Sequence, residues 1–170
     1  ADLDLAGTWH DEGKRDPRTQ AALTMGLDAQ GYLVPPDRPP SEPVARSGLP
    51  YRYWRRSRDL AGVPPRWRHE ALSAELLGVA LEQGRARAHD VDLVLHLILS
   101  HHGYFRGPGP LTPPGVGPRH QAPADPLWAE ATRRFHRLND RYGPYTLALA
   151  ETVLRLADWD VSREEPDHGR

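Results

Sequence analysis

The sequence predicts an all-α fold. Apolar residues recur at intervals of three and four residues in five separate segments, which is the spacing of one helix face. These segments are residues 2–12, 67–83, 89–100, 126–140 and 144–161. No segment alternates apolar and polar residues as a strand would, and stretches rich in Gly and Pro separate the helical ones. We therefore expect one helical bundle with long Pro/Gly-rich loops, forming a single domain over residues 1–170.

Composition excludes several classes of protein. The net charge of −1 gives no general attraction to DNA or membranes, so a nucleic-acid contact would need a local basic patch. The absence of cysteine excludes disulfides and thiolate metal sites. No apolar run approaches the roughly 20 residues of a membrane span, and no signal peptide opens the chain. We expect a cytoplasmic domain without a membrane partner, excised from a longer protein because its apolar stripe already runs at Leu3.

The first helix, residues 2–12, carries the most informative stretch. His10 lies on its apolar face and Asp11 follows directly, so an imidazole and a carboxylate, both good ligands for divalent metals, are adjacent. Gly13 is expected to end this helix. Lys14 is the only lysine in a chain that otherwise uses arginine, which indicates either a need for a compact point charge or chance.

Residues 15–66 are the least regular part, because prolines interrupt them, with a short helix expected at about 18–27. Their second half is basic with interleaved aromatics. The candidate nucleic-acid-binding residues are Arg52, Tyr53, Trp54, Arg55, Arg56 and Arg58. Guanidinium groups suit phosphates and aromatic faces can stack on bases. A solvated loop whose aromatic residues anchor it to the core explains the pattern equally well.

The two central helices carry histidines. In residues 67–83, His69 falls on the apolar stripe. Residues 89–100 begin after Asp90, a suitable N-cap, and run into His101 and His102, with His102 on the buried stripe. His96 lies on the opposite side of that helix and is expected to be outside any site.

The last part of the chain begins with a loop at residues 104–126 and ends with a frayed, charged tail from residue 163. In the final helix, 144–161, Asp158 lies four residues after Leu154, on the apolar stripe that includes Val153 and Val161 and is expected to face the core. A carboxylate on a buried face is costly unless it is paired or bound to a metal.

Four helices therefore each present metal-ligand side chains on an apolar face. The candidate ligands are His10, Asp11, His69, His101, His102 and Asp158. Four imidazoles and two carboxylates fit one or two divalent transition-metal ions (Mn, Ni, Co, Fe or Zn), with Asp11 as the natural bridge. Two ions favour hydrolysis of a phosphate ester, in which Lys14 would neutralise charge developing on a phosphate oxygen.

These motifs, taken together, resemble the HD superfamily of metal-dependent phosphohydrolases. The motifs are residues 6–14 (AGTWHDEGK), Asp16-Pro17 with Gln20, Arg68-His69-Glu70 with Ser73, His101-His102-Gly103, and Leu156-Ala157-Asp158-Trp159 with Ser162. They match best the HD nuclease domain of type I CRISPR-associated helicase-nucleases. One feature differs from the family pattern, because no histidine precedes position 10; a helix carrying it would lie elsewhere in the parent protein, or one metal position lacks a ligand.

The resemblance implies an HD-domain helical bundle that cuts single-stranded DNA. It implies metal ligation by the six residues above, catalytic roles for Asp11 and Lys14, and strand binding by the basic stretch. It also implies two partners, a superfamily 2-type helicase in cis or in trans and a CRISPR surveillance complex. Two alternatives stay open: an HD phosphohydrolase of nucleotides or small phosphoesters, and a catalytically inactive HD module that only binds.

Overall fold

The computed structural model describes residues 1–38, 40–65, 67–105 and 124–164. Over these residues the fold is all-α, as the sequence predicts, with seven α-helices and one two-stranded hairpin. The elements are α1 (Asp2–Trp9), a 3-10 helix (Glu12–Arg15), α2 (Pro17–Thr24), β1 (Gly26–Leu27), β2 (Leu33–Val34), α3 (Tyr51–Leu60), α4 (His69–Glu82), α5 (Val91–Ser100), α6 (Ala124–Tyr142) and α7 (Pro144–Glu164).

Helix α5 is the centre of the bundle. It packs against α1, α4, α6 and α7, and its side chains Val94, Leu97 and Ile98 are fully buried. Asp90 caps it by accepting a hydrogen bond from the backbone N–H of Leu93, as predicted. Because α5 touches four helices, groups at its C-terminal end can meet residues from several other elements.

The N-terminal region differs from the prediction. Helix α1 ends at Trp9 rather than near residue 12, and a separate 3-10 helix follows. Gly13 does not end the helix; it lies buried inside the 3-10 segment. The change of direction after His10 turns Asp11 and Lys14 toward α4, against which the 3-10 helix packs.

The basic stretch is a helix rather than a loop. Pro50 precedes it, and α3 runs from Tyr51 to Leu60 within the region that the sequence left irregular. Proline density concealed this helix, although proline directly before a helix start is compatible with it. The small antiparallel hairpin, with Gly26 opposite Val34 and Leu27 opposite Leu33, is a second element that the sequence did not predict.

Helix α7 exposes more apolar surface than expected. Leu147 and Leu154 are buried, but Val153 and Val161, predicted to face the core, are exposed. The predicted loop 104–126 and the predicted tail from 163 lie largely outside the described residues; α6 already begins at residue 124, and α7 continues to residue 164. None of the described helices combines the length and apolar composition needed to cross a bilayer.

Candidate metal centre

Asp11 is the point at which the candidate ligands meet. Its Oδ1 lies 3.1 Å from His69 Nε2 and 3.9 Å from His101 Nε2. Its Oδ2 lies 3.5 Å from His10 Nε2 and accepts a 2.6 Å hydrogen bond from Lys14 Nζ. Each carboxylate oxygen of Asp11 therefore faces a different pair of groups.

Two overlapping sets of ligand atoms result. In one, ligand atoms of His69, His101 and His102 lie within 4.8 Å of one another. In the other, those of His10, Asp11 and His101 do so. Asp158 reaches the second set through its Oδ1, which is 3.4 Å from His10 Nε2. The structure thus brings together all six predicted ligands, from α1, α4, α7, the segment before the 3-10 helix and the C-terminal end of α5.

The ring orientations leave Nε2 atoms directed into the cluster. His10 Nδ1–H donates to the carbonyl oxygen of Gly7 at 2.7 Å, and His101 Nδ1–H donates to that of Ile98 at 2.6 Å. Since a neutral imidazole carries only one proton, His101 keeps its Nε2 lone pair available, whereas His10 Nε2 lies 3.4 Å from Asp158 Oδ1 and is a metal donor only in the neutral form of the ring. Anchoring one ring nitrogen while the other binds is how proteins orient metal-ligating histidines.

The cluster favours bound positive charge. Burial acts to raise the pKa of the Asp11 carboxyl, but the contact with His69 and the charges of Lys14 and His10 hold that pKa well below its usual range. The contact with His10 likewise lowers the pKa of Asp158. Burial acts against a charged His10, yet its contacts with Asp158 and Asp11 raise the pKa of this imidazole. Two ionised carboxylates therefore flank His10 Nε2.

His101 has the opposite tendency. Burial, followed by the neighbouring charges of His102, His69 and His10, lowers the pKa of its imidazole to about 3, although its bond to Ile98 opposes the shift. Burial also lowers the pKa of His102, against the opposing charge of Glu70. Neutral imidazoles are the form that binds metal ions, so His101 needs no deprotonation to serve as a ligand at neutral pH.

The unsatisfied atoms of the cluster test whether a metal fits it. Asp11 Oδ1, His69 Nε2 and His101 Nε2 are buried and make no hydrogen bond. Buried polar atoms without partners are rare, because leaving one unsatisfied costs about 1–3 kcal/mol. Three such atoms converging at 3.1–3.9 Å, two nitrogens and one oxygen, form a donor set suited to a divalent transition-metal ion. The residues present therefore fit a metal.

Gly13 allows the 3-10 helix to approach α4 closely. Its backbone N–H donates a 2.8 Å hydrogen bond to Ser73 Oγ, one turn after His69. A methyl group at Gly13 would overlap the carbonyl oxygen of His69 and lie 3.0 Å from Ser73 N. The glycine is thus required for close approach, which sets the distance between Asp11 and His69.

The side chain of Gln20 is hydrogen-bonded to the backbone of Lys14. The side-chain amide of Gln20 donates to the carbonyl oxygens of Lys14 and Val44, and its Oε1 accepts from Val44 N. A single side chain therefore ties the 3-10 helix to the distant loop. Gln20 and Ser73 belong to the sequence motifs, but the sequence did not predict a role for either. Gln20 lies three residues after the start of α2, and Ser73 lies four residues after the start of α4.

Two helix-face predictions around α5 were wrong. His102, predicted to lie on the buried stripe, is exposed, whereas His101, predicted one step round from that stripe, is buried; a single stripe does not describe this end of the helix, because residues 96–101 are all buried. His96 is buried, and its Nε2 lies 2.7 Å from Glu151 Oε1 on α7. His96 is not a member of either ligand set among the described residues.

Helix α3 divides the predicted nucleic-acid-binding residues into two groups. Arg52, Arg55 and Arg56 are exposed. Trp54 packs against the small core cluster around Val63 and Trp67, and Arg58 donates to the carbonyl oxygen of Trp67 while lying 5.8 Å from the Trp54 ring centre. Tyr53 is half-buried under Arg52. The structure thus leaves the arginines accessible and uses Trp54 and Arg58 to attach the helix.

A cation–aromatic pair, which the sequence did not indicate, borders the cluster. The guanidinium carbon of Arg68 lies 3.4 Å from the ring centre of Tyr104, which is partly exposed. Arg68 directly precedes His69, and Tyr104 follows His102 by two residues. The pair therefore joins the chain segments that carry two of the candidate ligands.

No family model, curated protein or solved structure matches this chain.

Proposed function

We propose that this chain is a metal-dependent phosphodiesterase that cleaves single-stranded DNA. One observation carries the proposal: three buried donor atoms from separate elements converge on one another without hydrogen bonds, next to the partly buried ammonium group of Lys14. Buried unsatisfied atoms are costly, so their retention supports a bound ligand. Nitrogen and carboxylate donors beside a cation support a metal that acts on a phosphate ester.

The chain's own residues have distinct tasks in such a reaction. One or two divalent ions, when bound, would supply Lewis-acid stabilisation and activate water for attack on phosphorus. The histidines would hold the ions through ring nitrogens. Asp11 belongs to the set with His10 and His101, and its Oδ1 lies 3.1 Å from His69 Nε2 of the other set. Lys14 Nζ, hydrogen-bonded to Asp11 Oδ2, is available to donate to a non-bridging phosphate oxygen as negative charge develops there.

The chemistry proposed is hydrolysis of a phosphodiester. The water oxygen forms a new bond to phosphorus, one bridging P–O bond breaks, and the proton lost by water balances the alkoxide that leaves as an alcohol. No redox step is involved. Asp158 Oδ1 lies 3.4 Å from His10 Nε2 and would place a second carboxylate beside the ions that this nitrogen holds.

Exposed arginines support a polymeric substrate over a small one. Arg52, Arg55 and Arg56 are exposed on α3. Arg68, which stacks on Tyr104, lies between α4 and Trp67, the residue whose carbonyl oxygen accepts the hydrogen bond from Arg58 of α3. Guanidinium groups can contact successive phosphates, and an aromatic ring with a stacked guanidinium offers a face to a base. The sequence resemblance extends the proposal to CRISPR interference, in which a helicase, in the same chain or separate, supplies the single strand after a surveillance complex opens the target.

The decisive experiment is cleavage of circular single-stranded DNA by the purified protein. We expect cutting with Mn²⁺, Ni²⁺ or Co²⁺ and none with EDTA, since a circle without ends reports only internal cleavage. Asp11→Asn should reduce the rate by at least about 10³-fold, because this carboxylate belongs to one ligand set and its Oδ1 lies 3.1 Å from His69 Nε2 of the other. His10→Ala should behave similarly.

His89→Ala serves as the matched control, because His89 is an exposed histidine outside both ligand sets. Its cleavage rate should equal that of the wild-type protein. Cutting that survives in Asp11→Asn would contradict the proposal. Rapid turnover of a nucleotide or small phosphoester, with single-stranded DNA left intact, would instead favour a small-molecule phosphohydrolase.

The arginine surface of α3 is tested by salt dependence. Replacing Arg55 and Arg56 with Gln should weaken binding to single-stranded DNA and reduce the slope of log K against log salt by about 1.4, since each lost phosphate contact removes about 0.7. The control removes two exposed arginines from the α4–α5 loop, Arg85→Gln with Arg87→Gln. Equal slopes in the two double variants would remove α3 from the binding surface.

A further inference from the structure

Glu70 is the most deeply buried charge next to the cluster. It is fully buried in the first turn of α4, and neither carboxylate oxygen makes a hydrogen bond. Its nearest charged neighbours are Arg68 Nη1, 3.7 Å from Oε1, and His69 Nδ1, 3.5 Å from Oε2. A buried carboxylate with no hydrogen bond costs several kcal/mol, so its presence calls for a role that offsets the cost.

The other histidines of the cluster indicate that role. His10 and His101 each anchor Nδ1–H on a backbone carbonyl three residues earlier. His69 is the first residue of α4, so no preceding helical turn supplies such a carbonyl, and the group that faces its Nδ1 is the Glu70 carboxylate. Its other nitrogen, Nε2, faces Asp11.

We propose that Glu70 is the positioning residue for His69. In the metal-loaded centre its carboxylate accepts a hydrogen bond from His69 Nδ1–H. This bond keeps the proton on Nδ1, so that the Nε2 lone pair is directed toward Asp11 and the metal. A carboxylate behind a ligating imidazole also makes the imidazole a stronger donor. The inference rests on the proposed metal centre but is independent of the substrate.

The proposal predicts opposite effects of one substitution on two properties. Glu70→Gln removes a buried charge that has no hydrogen bond and only the long 3.7 Å contact with Arg68, so the metal-free protein should unfold at the same urea concentration as the wild-type protein or a higher one. The same change weakens the partner of His69 Nδ1, so Ni²⁺ affinity should fall about 10–100-fold. A residue that only stabilises the fold would give the reverse.

The experiment measures Ni²⁺ binding by calorimetry and metal-free stability by urea unfolding, for the wild-type protein and Glu70→Gln. Glu82→Gln is the matched control, since it removes the same charge from an exposed position on the same helix. The nitrogen chemical shifts of the His69 ring, read by NMR, should report the Nδ1–H tautomer in the wild-type protein and a mixture in Glu70→Gln.

Each outcome decides the matter. Weakened Ni²⁺ affinity in Glu70→Gln, with unchanged or increased metal-free stability, supports the proposal. Unchanged affinity, or lost affinity that accompanies an equal loss of metal-free stability, overturns it. If Glu70→Gln does not fold, Glu70→Asp keeps the charge but withdraws it from His69, and a wild-type affinity in that variant also overturns the proposal. Failure of the wild-type protein itself to bind Ni²⁺ would sink the proposed function instead.

Discussion

Two buried histidines of α5 lie in opposite chemical surroundings. His96 Nε2 meets Glu151 Oε1 at 2.7 Å, so this buried imidazole has a partner of its own. His101 Nε2 is equally buried but makes no hydrogen bond, and the nearest carboxylate oxygen, Asp11 Oδ1, is 3.9 Å away. Both residues link α5 to other elements. The comparison separates a histidine that joins two helices from one whose second ring nitrogen makes no hydrogen bond, which is the property on which the proposed metal centre depends.

The largest expected effect concerns His96. His96→Ala should lower the free energy of unfolding by about 3 kcal/mol, because Glu151 would keep its burial and lose this partner. Urea unfolding in EDTA measures the change. The double variant His96→Leu with Glu151→Met should be more stable than His96→Ala, since it replaces both polar groups of the buried pair with apolar side chains.

His101→Asn is the counterpart of that change. The Asn side chain can still donate to the carbonyl oxygen of Ile98, so the metal-free stability should change by less than about 1.5 kcal/mol, while Ni²⁺ binding should be lost. If instead His96→Ala abolished metal binding and His101→Asn abolished folding, the assignment of the two histidines would have to be exchanged.

A smaller effect is expected where the cluster depends on close backbone approach. Gly13→Ala should cost about 1–3 kcal/mol and weaken metal binding, because the methyl group meets backbone atoms of His69 that cannot move aside as a flexible side chain would. Urea unfolding and Ni²⁺ calorimetry measure both effects.

Gly78→Ala is the control for this substitution. Gly78 lies in the middle of α4 with nothing within 4 Å of its added methyl group, so alanine there should stabilise the protein by about 0.5–1 kcal/mol. Gly13→Ala with the stability and metal affinity of the wild-type protein would contradict the role given to the close approach.

The smallest expected effect is a pH dependence of the metal-free protein. The pKa of His101 is about 3 in the folded state and about 6.5 when unfolded, so between these values the unfolded chain binds a proton that the folded one does not. Stability should therefore fall as pH decreases below about 6.5, by at most about 1.4 kcal/mol per pH unit from this group. His102, whose pKa is also lowered, acts in the same direction, whereas the raised pKa of His10 acts against it.

Unfolding at several pH values in EDTA isolates the contribution of His101. Between about pH 6 and 5, the wild-type protein should lose about 1 kcal/mol more stability than His101→Asn, since the variant has no imidazole to protonate on unfolding. Parallel pH curves for the two proteins would mean that His101 is not held neutral by its burial.

Local pattern in the sequence predicted most of the helices and the residues that gather around Asp11. Helical spacing identified α4, α5, α6 and α7, and Asp90 was recognised as a cap. The sequence also predicted that His10, Asp11, His69, His101, His102 and Asp158 form one cluster, and the structure brings them together. These predictions succeeded because periodicity within one helix determines which residues share a face.

Only the tertiary structure decided the features that depend on contacts between distant segments. The burial of His96 was missed because its partner, Glu151, is 55 residues away on α7. Three further features depend on how the 3-10 helix, α4 and the loop at Val44 pack together. They are the close approach at Gly13, the hydrogen bonds of Gln20 to Val44, and the lack of hydrogen bonds to the Glu70 carboxylate. Helical spacing states which way a side chain points along its own helix, but the groups it meets are set by packing between helices, which no single segment encodes.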